Sequence, residues 1–311
     1  MGELLPVNAR PSPLPARRVG LAVLGAASLA LLAAAALARR DRPPADAVDR
    51  AARGLSGSAT LLAGSVLADS SVEHYRGAFE NPGMYAPLAI AGAALLVNSG
   101  GIEGRGARNI AHAAAIATGA AGSAFHIYNL LRRDGGLRWV NLFYGAPLGA
   151  PAALSLAGLI GLAADQVRDT DPVQLPKLLG LPAGRALAAL TGTGIAGTVG
   201  EVWLLHFRGA FHNPFMWLPI AVPPVASALL VQAALVPDRQ APFARACVGA
   251  TALLGIAGVA FHIYGVRRHM GGWYNWSQNI LDGPPIPAPP SFTALAIAGL
   301  SALSLIEQDR G

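Results

Sequence analysis

Residues 74–89 read HYRGAFENPGMYAPLA, and residues 206–221 read HFRGAFHNPFMWLPIA. Ten of these sixteen positions are identical. Further along, FHIYNLLRRDGG at 125–136 matches FHIYGVRRHMGG at 261–272. Asn141, Gly145, Pro147 and Pro151 line up with Asn279, Gly283, Pro285 and Pro289, and Asp165-Gln166 with Glu307-Gln308. The order is kept while the offset drifts only from 132 to 142, so chance is not a serious explanation. The chain carries one unit twice, and the segments between the matched motifs decide what that unit is.

Those segments are runs of Leu, Ala, Val and Gly, about 16 to 25 residues long, which is the spacing of membrane-crossing helices. Nine spans are expected: 19–38, 55–79, 82–97, 107–131, 146–165, 186–208, 214–236, 243–266 and 289–306. Pro219, Pro223 and Pro224 inside the seventh predict a kink or a late start. The fold class is therefore an all-α polytopic membrane protein. A tail (1–18) leads into an anchor helix (19–38), followed by two tandem four-helix units, 55–166 and 187–308, joined by a linker at 167–186. Four spans per unit is an even number, so both units enter the membrane in the same direction. That predicts a pseudo-two-fold axis along the membrane normal. The segment 19–38 has a second reading as a signal peptide ending at Ala36-Leu37-Ala38; its length favours a retained anchor.

Composition narrows the function classes. Of 311 residues, 53% are apolar or aromatic and only 13% are charged, against about 25% charged in a soluble domain. The mean hydropathy is +0.44. The net charge of +6 does not mark a nucleic-acid binder, because the basic residues stand at the ends of apolar runs rather than on one face. The single Cys247 excludes a disulfide framework and any cysteine-based zinc or iron–sulfur site within the chain. The expected surroundings are a lipid bilayer, in a bacterial cytoplasmic membrane. The two sides of the membrane differ by 13 basic residues to 10, and the positive-inside rule favours a cytoplasmic place for the side opposite the repeated motifs.

Ionisable groups inside spans are costly and point to function. Two histidine pairs recur at matching positions, His74 with His206 and His126 with His262. The first pair sits near the exit of the first helix of each unit and the second near the exit of the third, so all four share one depth. The plainer reading is an interfacial histidine bonded to a carbonyl or to water. Retention through duplication favours ligation or proton handling. Asp69 and Glu201 also match, five residues before His74 and His206. Five helical residues turn about 500°, so acid and histidine point some 140° apart. A triad of two histidines and a carboxylate around one ion is thus strained, and a proton relay or a bond behind a histidine is easier. Arg76, Arg208, Arg132 and Arg268 follow the histidines. They are read either as snorkelling residues or as partners for the carboxylates of a cofactor. His112, His212 and His269 have no histidine counterpart and receive no role.

Three functions fit these groups. The first is a haem-binding electron-transfer subunit, with one haem b clamped by His74 and His126 and another by His206 and His262. Gly119, Gly122, Gly255 and Gly258 would then leave room for the rings. The second is a transporter or channel using Asp69, Glu201 and the histidines. The third is a non-catalytic anchor or assembly subunit. The aromatic loops 135–151 and 271–289 are candidate receptors for a partner protein. The outline of two four-helix units with histidines on first and third helices is similar to haem A synthases in architecture only; the histidine motifs differ, a cysteine pair is absent, and no activity carries over. Without a Walker, G-x-S-x-G, H-E-x-x-H or dinucleotide motif, a membrane subunit is favoured over an independent enzyme.

Overall fold

Each apolar run between residues 55 and 308 forms a helix close to its expected limits. The computed structural model describes residues 47–309 except 103, 172–173 and 238–240; the tail 1–18 and the anchor segment 19–38 lie outside the described residues. The first group comprises α1 (Ala47–Arg76), α2 (Ala86–Asn98), α3 (Arg105–Leu131), the short α4 (Trp139–Tyr144) and α5 (Gly149–Arg168). The linker folds into a small antiparallel hairpin, β1 (Lys177–Leu178) with β2 (Leu181–Pro182). The second group comprises α6 (Ala183–Arg208), α7 (Leu218–Leu235), α8 (Ala241–Arg268), the short α9 (Trp276–Asp282) and α10 (Pro290–Gln308). The helices α4 and α9 and the hairpin were not expected; the sequence reading left those segments as loops. The seventh span starts late, at Leu218, behind a 3-10 turn at Pro214–Trp217, with Pro223 and Pro224 inside the helix.

Among the described residues, six helices are long and apolar enough to cross a membrane: α3, α5, α6, α7 with its leading turn, α8 and α10. They mark the chain as a multi-pass membrane protein. The helix α1 is longer than any of them but is not among the six. It carries Asp69, Glu73 and a series of hydroxyls, and its place in the structure explains why. It packs against α2 and α5 of its own group and against α10 of the other. Its hydroxyls find backbone acceptors there: Ser58 donates to the Ala294 carbonyl at 2.7 Å and Thr60 to that of Ser56 at 2.8 Å. Bonds of this kind let a helix with a polar sequence sit among apolar neighbours.

Within the first group α2 and α5 each touch both α1 and α3, which leaves α1 and α3 on a diagonal; α6 and α8 stand in the same relation about α7 and α10. The groups meet mainly along α1–α10 and more lightly along α5–α6. Fully buried Leu55, Leu62, Leu154, Ile160, Leu187, Leu230 and Leu295 fill the core across both. The four glycines expected to leave room for a bound ring do something else. A methyl group on Gly119 would lie 2.5 Å from the Pro151 carbonyl oxygen, and one on Gly255 would lie 2.8 Å from that of Pro289. Gly122 and Gly258 face the same two prolines. The space these glycines leave is filled by the next helix, so they seal α3 to α5 and α8 to α10.

Candidate functional site

The matched R-G-A-F-x-N-P-x-M segments fold into the same turn twice. After α1 ends, Ala78 and Phe79 adopt left-handed backbone (φ 54° and 49°); after α6, Ala210 and Phe211 do so (φ 53° and 46°). Each such residue costs on the order of 1–3 kcal/mol without glycine, and strain of this size is held only where surrounding structure enforces it. Here the Phe79 N–H donates to the His74 carbonyl at 3.1 Å and the Phe211 N–H to that of His206 at 3.2 Å. Asn81 and Asn213 then cap the following 3-10 turns, accepting from Gly83 N–H at 2.8 Å and Phe215 N–H at 3.0 Å, with Pro82 and Pro214 next in line. Met84 is carried back over the helix end, close enough to Gly77 that a methyl there would meet its Cε at 2.9 Å. Phe79 stacks on Tyr85 and Phe211 on Trp217, with centroids 4.4 and 4.3 Å apart, each phenylalanine also lying edge-on to its histidine.

The product of each turn is one hydrogen bond. His74 Nδ1 lies 2.6 Å from the Met84 carbonyl oxygen, and His206 Nδ1 lies 2.7 Å from that of Met216. The second pair of motifs arrives at the same bond by another route. Buried Asn141 donates to the Gly136 carbonyl at 2.8 Å, and Asn279 to that of Gly272 at 2.9 Å, closing the aromatic loops. Gly145 and Gly283 then pass so near the Asn141 and Asn279 carbonyls that no Cβ fits. Pro147 and Pro285 follow, and their carbonyls lie 2.6 Å from His126 Nδ1 and His262 Nδ1.

A carbonyl only accepts, so Nδ1 carries the proton in all four histidines. The Nε2 lone pair is then free to point at a ligand, the tautomer of a histidine held ready for a metal. Within each group the pair is close: His74 and His126 are near enough for their charges to interact, as are His262 and His206. All four stand near the C-terminal ends of their helices, at one face. No family model, no curated protein and no solved structure matches the chain. The site is read from its own geometry.

The arginines have protein partners. Arg76 pairs with Glu73 at 2.7 Å. Arg132 and Arg268 lie over the rings of Tyr128 and Tyr264 at 5.5 and 6.0 Å, and Arg208 over Phe143 at 5.8 Å. Glu201 accepts the Gly149 N–H at 3.2 Å, in the other group, and Asp69 faces the segment before α10. The place behind each histidine is thus taken by a carbonyl. Of the two aromatic loops, 135–151 contacts α6, with Trp139 against Trp203 at 5.6 Å and Phe143 against Phe207 at 5.8 Å, while Trp139, Val140 and Tyr144 stay exposed. Loop 271–289 leaves Trp273 and Tyr274 exposed.

One cluster escaped sequence reasoning. At the face opposite the paired histidines, Asp165 of α5 receives Arg108 Nε at 3.0 Å, Arg168 Nη1 at 2.6 Å and His112 Nε2 at 3.3 Å. Arg168 also reaches Ser56 of α1 at 2.6 Å, so three helices are tied together. His112 is fully buried, with Nδ1 unpartnered. At this position the second group carries a bidentate Arg245–Glu307 pair, with Arg245 also reaching Ser304 at 3.0 Å. The available signal was the matched acid, Asp165 with Glu307; His112 has Val248 opposite it and drew no notice.

Proposed function

We propose that the chain is a haem-binding electron-transfer subunit, with His74 and His126 holding one b-type haem and His206 and His262 a second. The observation that carries this reading is the set of four Nδ1–carbonyl bonds, two per group, each leaving Nε2 unbonded. Among the described residues no group of three or more His, Cys, Asp or Glu could hold a bare metal ion. A haem needs only two axial ligands from the protein, and a pair of tautomer-fixed imidazoles on diagonal helices suits that need. Adjacent axes about 8–10 Å apart put the diagonal at roughly 11–14 Å, which admits the macrocycle edge-on. When bound, the haem supplies one-electron redox chemistry. The protein's own part is to fix imidazole orientation and depth through the Met84, Pro147, Met216 and Pro285 carbonyls. The exposed Trp273 and Tyr274 of loop 271–289 are the surface on which a redox partner would dock.

Detergent-purified protein, expressed with ample haem supply, should show a Soret band and reduced α/β bands after dithionite. A colourless protein sinks the reading.

A second reading, proton transfer through the membrane, draws on the approach of Asp69 to Glu201 across the two groups, near enough for their charges to interact. Both readings use a same-direction repeat about a pseudo-two-fold axis. Cysteines at the exposed positions Val140 and Tyr274, in a Cys247→Ser background, should then be labelled from the same side of the membrane. Labelling from opposite sides would mean an inverted repeat.

A further inference from the structure

Asp69 of α1 and Glu201 of α6 occupy matching positions at the junction of the two groups, yet they meet opposite chemistry. Glu201 sits at the N-terminus of the twenty-residue α5, where backbone N–H groups lack intrahelical partners. The Gly149 N–H donates to its Oε2 at 3.2 Å, while its Oε1 is buried without a partner among the described residues. Gly149 permits this, since a methyl group there would stand 3.2 Å from Glu201 Cγ. Asp69 faces the corresponding segment before α10, in a small cleft with Leu281, Pro285, Ile286 and Pro287. Pro287 stands at the place of Gly149 and has no N–H to give. Pro289 and Pro290 have none either. The N–H groups of Ala288, Ser291 and Phe292 are already bonded to the carbonyls of Pro285, Ala288 and Pro289. The Ser65 hydroxyl, one turn away, is bonded to the Pro287 carbonyl.

The charges around Asp69 come from two helices. Its own helix presents Glu73, paired with Arg76 at 2.7 Å, and α6 presents Glu201. The segment 283–290 contributes no ionisable side chain, and Asp282 at the end of α9 is exposed. The helix α2 has no charged residue, and the acids of α5 and α10, Asp165 and Glu307, lie at their far ends. A carboxylate left here would sit half-buried in a cleft beside two other acids, with Arg76 drawn to Glu73 and, among the described residues, no helix N-terminus like that of α5 to receive it, which is a costly state for an ionised group.

We propose that Asp69 is a proton-binding site of the membrane interior, a carboxylic acid that holds its proton at neutral pH, while Glu201 is anchored through its Oε2 to the N-terminus of α5. One substitution between the repeats, glycine at 149 against proline at 287, separates the two roles. The assignment does not depend on the histidines binding haem.

Infrared spectroscopy of the full chain in lipid nanodiscs at pH 7 tests it. Exposed carboxyls are ionised at that pH, so a protonated C=O stretch that shifts in D2O reports a buried acid. The band should be present in wild type, absent in Asp69→Asn and retained in Glu201→Gln. Pro287→Gly keeps Asp69 but restores an N–H donor, and should weaken the band about tenfold, as expected for one added hydrogen bond to the charged form. It also covers the case in which Asp69→Asn fails to fold. A band missing from wild type, surviving Asp69→Asn, lost in Glu201→Gln, or unchanged in Pro287→Gly overturns the proposal.

Discussion

Protein carrying His126→Ala together with His262→Ala should give no pyridine haemochrome signal, whereas wild type should give two haems per chain. Each single variant should retain about half the haem, because the two pairs sit in separate helix groups. Removing one imidazole leaves a haem with one axial bond, and the partner histidines, His74 and His206, keep their own carbonyl bonds and their folded surroundings. The control is Arg132→Ala with Arg268→Ala. Those side chains are spread over Tyr128 and Tyr264, so their loss should leave haem content near the wild-type level. Full haem in the double histidine variant would show that these residues are structural, and the proposed function would fall with them.

The second large effect is on stability. Asp165 has a side chain only 7% exposed and neutralises two arginines. Asp165→Asn removes the charge that pays for burying them and leaves His112 with a weaker partner. Breaking a buried ion pair from one side costs about 3–5 kcal/mol. The counterpart, Glu307→Gln, should cost about 1 kcal/mol or less, since Arg245 and Glu307 are 34% and 39% exposed and water screens them. Thermal unfolding in detergent, followed by far-UV circular dichroism, compares the two. Equal losses would mean that the Asp165 cluster does not bind α1, α3 and α5 together as its geometry indicates.

Much of this was legible beforehand for identifiable reasons. Lipid demands long apolar helices, so the spans were written in residue type alone, and their observed limits differ from expectation by only a few residues in most cases. The turns that open at Asn81-Pro82 and Asn213-Pro214 are legible in residue type, because proline lacks the N–H that a first turn leaves unused. The recurrence of His74, His126, His206 and His262 was visible because duplication preserved it. The angle between acid and histidine on one helix is also legible, since it follows from helical pitch.

What the sequence determined by itself, then, was every feature set by local periodicity or by comparing one repeat with the other: the helices, the matched turns and the residues worth attention. Tertiary structure alone decided which groups meet. The carbonyl behind each histidine is ten or more residues away, and for His74 and His206 its position depends on a left-handed turn that no residue preference announces at Ala78-Phe79 and Ala210-Phe211. The glycines of α3 and α8 look like open space until another helix is seen to fill it. Asp165 collects Arg108 and His112 from α3, 57 and 53 residues away in the chain. Glu201 is bonded by a helix end in the other group, whereas Asp69 meets prolines. Such pairings depend on helices packing side by side, a long-range choice that residue spacing along one helix does not encode.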